Sequence, residues 1–127
     1  MISRRRCAAF TLIELLVVMT IIALLLTLAV PRYFHSVDKS KETVLRNDLS
    51  ILRESLDKYY GDLGKYPDSL EDLVTKKYLR SIPRDPITES NSSWTTVAPD
   101  DPGKGRVYDV HSGAPGAGMD GTNYAEW

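Results

Sequence analysis

The sequence predicts an α+β protein: a long N-terminal helix, half membrane-spanning and half amphipathic, packs on a small antiparallel sheet followed by a C-terminal loop. Three observations predict this: an apolar run near the N-terminus, helical periodicity that continues beyond it, and two strand-like segments separated by a turn. The chain has 127 residues and a net charge of −1, which allows one modest globular domain once the apolar run is set aside.

The apolar run extends from Phe10 to Val30 and follows a basic leader that contains Arg4–Arg6. As a helix it spans about 31 Å, which matches a hydrocarbon core of about 30 Å. The arginines predict that the N-terminus stays cytoplasmic and that the rest of the chain crosses the membrane. Glu14 is the one carboxylate in the run, and a carboxylate at a bilayer centre costs about 2.5–3.5 kcal/mol. Its presence therefore needs a reason.

Three other interpretations of this segment stay open on the residues alone. A secretory signal peptide fits the basic start and the small-residue site Thr27–Ala29, but it leaves Glu14 inside the apolar region. A twin-arginine signal fits Ser3–Arg5, but Arg6–Ala8 replaces the apolar residue expected after the pair. A plain membrane anchor fits the length and leaves Glu14 without a role.

Helical periodicity predicts one helix from about Thr11 to Tyr60. Pro31 lacks a backbone donor, so a kink or local melting is expected around Leu28–Pro31. Glycines in the segment Gly61–Gly64 end the helix, because they tolerate positive φ. The apolar positions that recur at helical spacing beyond the membrane half are Val37, Val44, Leu45, Leu49, Leu52, Leu56, Tyr59 and Tyr60.

A short second helix is predicted next, capped by Asp68 or Ser69 and ending near Lys77–Leu79. Its inward residues are predicted to be Leu70, Leu73 and Val74. The two prolines of Ile82–Pro86 then predict an extended path with little ladder bonding.

The strands of a hairpin are predicted at Ser93–Val97 and Arg106–Val110, around a loop that contains Pro99–Gly103. A sheet this small needs support, so we expect it to lie against the apolar face of the long helix. Trp94 and Tyr108 are predicted to be packing residues rather than ligand platforms.

The hexapeptide from Ala9 to Glu14, AFTLIE, resembles the processing motif of type IV pilins and pseudopilins. In that family a membrane aspartyl peptidase cleaves before the Phe and methylates the new amine, which implies Ala9 and Phe10 as the processing and methylation site. Glu14 is then positioned to pair with the N-terminal amine of a neighbouring subunit. Pro31 matches a family proline near which the helix can unwind in filaments. Ala9 departs from the family's usual Gly, so slower cleavage is expected.

Beyond the N-terminal motif, further segments resemble, in order, the soluble domain of the major pseudopilin of type II secretion. These segments are Gly64–Pro67, Asp85-Pro86, Asp109–Ser112, Asp120–Thr122 and Trp127. The resemblance covers nearly the whole chain and implies a type IV pilin-like fold. It divides the chain into a cleaved leader (1–9), a transmembrane and polymerisation helix (10–34) and a periplasmic domain (35–127).

The C-terminal loop is rich in glycine and in hard oxygen ligands. Asp109, Ser112, Asp120 and Thr122, with main-chain carbonyls, carry the kind of oxygen that Ca²⁺ takes in sets of six to eight. On composition alone, a solvated tail with acids as turn formers is the alternative. The family resemblance favours calcium, with Asp120 as the leading ligand, although Pro115 stands where relatives often carry an acid.

The function these observations predict is structural. The processed subunit polymerises through its N-terminal helix into a periplasmic pseudopilus that drives protein export across the outer membrane, and it catalyses nothing. The implied partners are further copies of the chain, the prepilin peptidase, minor pseudopilins, the inner-membrane assembly platform, and membrane lipid before assembly. Nucleic acid is a poor candidate partner, because the basic residues beyond the leader are dispersed among acids.

Two alternatives belong to other classes of protein. A type IV pilin for adhesion, motility or DNA uptake shares the N-terminal motif, but major pilins commonly close a C-terminal loop with a disulfide. Cys7 is the single cysteine of this chain, so no internal disulfide is possible. An anchored periplasmic binding protein or enzyme would need converging polar groups. His111 is a single imidazole that the sequence does not place in a catalytic constellation, and it is predicted to be a surface or packing residue.

Overall fold

A computed structural model describes residues 9–127. In chain order the elements are α1 (Leu12–Leu63), α2 (Leu70–Thr75), β1 (Thr95–Val97), a 3-10 turn (Pro102–Lys104), β2 (Asp109–His111) and a second 3-10 turn (Tyr124–Glu126). The chain divides into two compact units, Met1–Val37 and Asp38–Trp127. The predicted α+β class, with one long N-terminal helix and a small antiparallel sheet, is confirmed.

Helix α1 continues through Pro31, so local melting around Leu28–Pro31 does not occur in the single subunit, and the alternative expectation, a kink, stays a prediction. The physical reason is that a proline removes one donor from the helical ladder. The hydrogen bonds of the turns on either side remain and hold the helix together.

Helix α1 ends where the glycines predict. Gly64 has a φ of 71° and its N–H donates to the Tyr60 carbonyl at 2.8 Å, which satisfies one of the last carbonyls of the helix. A side chain at this φ would be strained, so glycine fits this position.

The second unit is built around one apolar cluster. Its members are Leu45, Leu49, Leu52, Leu56 and Tyr59 of α1, Leu70 and Leu73 of α2, and Trp94, Val107, Val110 and Trp127 from the hairpin region and the C-terminal end. Two residues expected on the inner face of α1 lie at its edge instead: Val44 is 48% exposed and Tyr60 is 36% exposed. Tyr60 stacks on Tyr66, with ring centroids 4.5 Å apart.

Helix α2 has Ser69 at its N-cap position, but the Ser69 side chain makes no capping hydrogen bond. The Asp72 carboxylate instead accepts from the Asp68 N–H at 3.1 Å, so the first turn is closed from inside the helix. Leu70 and Leu73 are buried, as predicted. The helix ends at Thr75, slightly earlier than expected.

The hairpin pairs Thr95 with His111, Thr96 with Val110 and Val97 with Asp109. Strand β2 therefore begins later than the predicted Arg106–Val110. The reason is that the N–H groups of Arg106 and Val107 both donate to the Pro67 carbonyl, at 3.2 and 3.0 Å, and are not available to β1. Trp94 is buried and its Nε1 donates to the Pro83 carbonyl at 2.8 Å, as expected of a packing residue.

Candidate functional site: the N-terminal helix and the C-terminal loop

The predicted processing site lies just before α1. Ala9 and Phe10 are exposed, and Phe10 is 82% exposed. The arginines of the leader and Cys7 fall outside the described residues, so the predicted leader is described only at its last residue, Ala9. A peptide bond in an exposed, non-helical segment is accessible to a protease.

Thr11 caps the N-terminus of α1, a role that the sequence analysis did not assign. Its hydroxyl accepts from the Glu14 N–H at 3.2 Å, and its carbonyl accepts from the Leu15 N–H at 3.2 Å. Glu14 therefore sits in the first turn, where a negative charge is favoured by the helix dipole. The signal was present in sequence, because Thr followed three residues later by Glu is the capping-box pattern.

The Glu14 carboxylate has no cationic side chain paired with it among residues 9–127. From Leu12 to Val30, the surface of α1 around this carboxylate is apolar and exposed. Leu12, Leu24 and Leu28, for example, are 77%, 62% and 66% exposed. This exposed surface needs lipid or other protein chains to cover it.

Two threonines inside the apolar run donate their hydroxyl hydrogen bonds to carbonyls of the same helix. Thr20 donates to the Leu16 carbonyl at 2.7 Å and Thr27 donates to the Ala23 carbonyl at 2.8 Å. By length and composition, helix α1 is long and apolar enough to cross a membrane. Of the polar side chains in the apolar run, Glu14 is therefore the one that has no partner among residues 9–127.

In the second unit, the predicted ligand Asp109 belongs to a network with Arg53. Oδ1 of Asp109 accepts from Nε of Arg53 at 2.9 Å and from the Val110 N–H at 2.8 Å. The Arg53 Nη2 also donates to the Val110 carbonyl at 3.0 Å and to the main-chain oxygen of Trp127 at 2.6 Å. His111 completes the network, with Nδ1 2.5 Å from the same Trp127 oxygen.

Because an oxygen can only accept, Nδ1 of His111 must carry the proton in that contact. The Nε2 of His111 lies 3.7 Å from Oδ2 of Asp109. The imidazole is half-buried and holds two parts of the chain together, as expected of a packing residue.

Ser112, the second predicted ligand, is fully buried and its hydroxyl donates to Oδ2 of Asp85 at 2.6 Å. The same hydroxyl accepts from the Ala114 N–H at 3.1 Å. Asp85 is also fully buried, and its other oxygen accepts from the Ile87 N–H at 2.8 Å. In sequence, Asp85 shows only a family resemblance, and nothing near it indicates that Ser112 is its partner.

Asp120 and Thr122, the remaining predicted ligands, do come together. Oδ1 of Asp120 accepts from the Thr122 N–H at 3.0 Å and from the Thr122 hydroxyl at 2.6 Å. Oδ2 accepts from Nη2 of Arg46 at 3.1 Å. These contacts, the Thr122 hydroxyl first and the Arg46 charge among them, lower the pKa of Asp120 below its ordinary value.

Helix α1 supplies one further residue to this loop, Glu42. Its Oε1 accepts from the Met119 N–H at 2.8 Å and from the Tyr124 hydroxyl at 3.0 Å. Burial, followed by the hydrogen bond to Glu42, raises the pKa of Tyr124 to about 12. The contacts of Arg46, Arg53 and Glu42 have no signal in the local sequence, because their partners lie more than 50 positions away in the chain.

As arranged here, the four predicted ligands do not supply one oxygen cage. Asp109 is held by Arg53, Ser112 by Asp85, and only Asp120 and Thr122 share contacts. Across residues 9–127 no group of three or more His, Cys, Asp or Glu is placed to hold a metal. Calcium binding stays a prediction, and no part of the function proposed below runs through an ion.

The chain matches known proteins both in its N-terminal segment and over most of its length. The family described as the Prokaryotic N-terminal methylation motif matches residues 4–30. The type II secretion system core protein G of Pseudomonas aeruginosa is 31% identical, over 93% of this chain and 92% of its own length. Proteins of the same name from Xanthomonas campestris and Vibrio cholerae are 30% and 29% identical, over 90% and 94% of this chain and 85% and 93% of their own lengths. No solved structure matches the chain.

Proposed function

Because this chain belongs to the family of type II secretion system core protein G, the major pseudopilin, we propose that it is the structural subunit of a secretion pseudopilus. Many copies of the processed chain would polymerise through α1 and drive proteins across the outer membrane. The subunit has a scaffolding role and no catalytic one. Minor pseudopilins and an inner-membrane assembly platform are its proposed partners, with membrane lipid around the helix before assembly.

The first step is removal of the leader. Prepilin peptidase hydrolyses the peptide bond between Ala9 and Phe10, which leaves a carboxylate on the leader and a free α-amine on Phe10. The match of residues 4–30 to the methylation motif and the exposure of Phe10 support this step. Methylation of the new amine, by a methyl donor that the peptidase binds, follows.

The observation that carries the proposal is a carboxylate without a charge partner among residues 9–127, on an exposed apolar stretch of helix. Glu14 has no cationic partner in this described part of the chain, whereas apolar side chains around it are exposed. After cleavage, the amine of a neighbouring Phe10 supplies the missing positive charge. A charge pair in an apolar environment is stable only when both members are present, so the pair selects for assembly in one register.

The orientation follows from the arginines of the leader. Arg4–Arg6 precede the apolar run, so the N-terminus stays cytoplasmic and the second unit is placed in the periplasm. The inner membrane then holds the chain as a single-pass protein until it enters the pseudopilus.

The test compares Glu14→Gln with Glu54→Gln in cells that carry the peptidase and the secretion machinery. Glu54 is an exposed α1 glutamate paired with Lys58 at 3.3 Å, so its change controls for the loss of one helix carboxylate. We expect Phe10 to be the first residue of both mature proteins by mass spectrometry. Cross-linked multimers and secretion should be lost in Glu14→Gln and kept in Glu54→Gln.

The outcomes separate the steps. If Phe10 is not the first residue of the mature wild type, processing as proposed is wrong. If Glu14→Gln is processed and still assembles, the pairing of the carboxylate with the amine is wrong. A type IV pilin, the alternative from sequence, predicts surface fibres and motility instead of secretion, and the relatives reported above favour secretion.

The calcium binding that the sequence predicts at Asp109, Ser112, Asp120 and Thr122 is a question separate from assembly. The oxygen chemistry of the Asp120–Thr122 pair supports it, and the Arg46 guanidinium on the same carboxylate opposes it. Thermal melting of the full chain with and without chelator is the test. A midpoint that does not change contradicts a structural ion.

A further inference from the structure

We propose that Arg46 closes the C-terminal loop in place of a divalent cation, so that the loop of this chain is held by its own side chains without a metal. The loop runs from Gly113 to Asn123 and is crossed by the bridge between Ala117 and Asn123. The proposal concerns the folded subunit and does not depend on polymerisation.

The first step in the argument is the state of the Asp120 carboxylate. Oδ1 accepts two hydrogen bonds from Thr122, and Oδ2 accepts one from Arg46. A guanidinium at 3.1 Å neutralises this carboxylate, as a bound cation would. A divalent ion on the same oxygens would lie beside that positive charge and be repelled by it.

The second step is the position of Arg46 over Trp127. The guanidinium carbon lies 3.9 Å from the centroid of the Trp127 ring, which is the geometry of a cation–π contact. The Trp127 Nε1 donates to the Thr122 hydroxyl at 2.7 Å, and that hydroxyl donates to Asp120. Arg46, Asp120, Thr122 and Trp127 thus form a closed ring of contacts.

The third step is the support from one turn earlier in α1. Glu42 lies four residues before Arg46, so both side chains leave the same face of the helix. Glu42 accepts from the Met119 N–H and from the Tyr124 hydroxyl. We call Glu42 and Arg46 the loop clamp: Glu42 holds a main-chain donor on one side of Asp120, and Arg46 holds the carboxylate itself.

The other two predicted calcium ligands do not enter this ring. Asp109 is bound by Arg53, and Ser112 is buried against Asp85. Gathering them around Asp120 would break two sets of short hydrogen bonds and leave Asp85 buried without its hydroxyl donor, a loss that the clamp does not require.

Hydrogen exchange of the full chain in detergent micelles tests the proposal, after treatment with chelator and again with Ca²⁺ restored. The reporters are the N–H groups of Met119 and Thr122, which donate to Glu42 and Asp120. Arg46→Met keeps the stem of the side chain and removes the charge. Lys58→Met is the matched control, because it removes a surface ion pair from the same helix away from the loop.

We expect chelator and Ca²⁺ to leave both exchange rates unchanged in the wild type. Arg46→Met should accelerate both by about tenfold, since an exposed ion pair and a cation–π contact are lost together. Lys58→Met should match the wild type. Exchange around the buried Leu52 reports whether the second unit stays folded; if Arg46→Met unfolds it, Arg46→Lys replaces it, with an expected acceleration of about threefold.

Two results overturn the proposal. One is faster exchange of Met119 and Thr122 in the wild type after chelation, or slower exchange when Ca²⁺ is restored, because a metal then holds the loop. The other is an Arg46 variant that exchanges like Lys58→Met, because the guanidinium then contributes nothing to closure.

Discussion

The hydroxyl of Ser112 donates to Oδ2 of Asp85 at 2.6 Å, and both side chains are fully buried. The pair joins the end of β2 to the turn that begins at Asp85, whose other oxygen accepts from the N–H of Ile87. A buried carboxylate is tolerated here because donors surround it, so each donor matters to the stability of the second unit.

Ser112→Ala should lower the free energy of unfolding by about 1–3 kcal/mol, because it leaves a buried carboxylate oxygen of Asp85 without a partner. For a unit of this size each kcal/mol lowers the melting temperature by about 4–8 °C. Thermal melting by circular dichroism of the full chain in micelles measures it. Ser92→Ala, at an exposed serine that contacts Ser90, is the control and should change little. Equal shifts would contradict the role given to Ser112.

Gly118→Ala should displace the Trp127 ring. A Cβ at Gly118 would lie 2.4 Å from Cζ2 of Trp127, which is far inside van der Waals contact. The expected loss of stability is about 1–3 kcal/mol, with a shift in tryptophan fluorescence. Gly61→Ala serves as the comparison, because a Cβ there meets nothing within 4 Å. An unchanged spectrum for Gly118→Ala would show that the loop does not pack on Trp127 as described.

Tyr124→Phe should reduce the loss of stability at alkaline pH. Burial and the hydrogen bond to Glu42 raise the pKa of Tyr124 to about 12, above the ordinary value of 10.0. A raised pKa means that its stabilising contribution is fully present below pH 10 and is lost as pH rises through 12. The wild type should therefore exceed Tyr124→Phe in stability below pH 10, and denaturant unfolding should show the gap closing toward pH 12. A gap that stays constant with pH would contradict this assignment.

Ala9→Gly should increase the fraction of processed chain in a short pulse with the peptidase, and Ala9→Leu should decrease it. In the proposed cleavage the residue before the cut has to be small, and Ala9 and Phe10 lie in an exposed segment. Immunoblotting separates precursor from mature chain. Ala8→Gly is the neighbouring control and should be processed like the wild type. If Ala9→Leu is cleaved at the wild-type rate, the position of the cut is wrong.

Periodicity and glycine placement were enough to predict α1, its end just before Gly64, and the inward face formed by Leu45, Leu49, Leu52 and Leu56, because these depend on local spacing. The start of β2 was wrong, because the Pro67 carbonyl takes the N–H groups of Arg106 and Val107 from a distance of about forty positions. The residues around Arg106 in sequence do not indicate that the Pro67 carbonyl is its partner.

The contacts of the C-terminal loop were also not predictable from local sequence. Oxygen chemistry alone grouped the four predicted ligands, Asp109, Ser112, Asp120 and Thr122. The position of each residue in the fold determines which partners it contacts. Arg46 and Asp120 are 74 positions apart, and a charged residue on a helix gives no sign of whether it meets solvent or a distant carboxylate. Thr11 differs from these residues, because its capping-box pattern with Glu14 is visible in the local sequence.

The internal hydrogen bonds of Thr20 and Thr27 have a consequence for how α1 changes surroundings. Both hydroxyls keep the same carbonyl partner whatever lies outside the helix, so moving from fatty acyl chains to packed neighbouring helices exchanges none of their bonds. From Leu12 to Val30, Glu14 is therefore the one position whose polar contacts depend on what surrounds the helix. In the assembly proposed here, moving the helix out of lipid changes its free energy little at most positions. The Glu14 carboxylate determines which surroundings are favoured.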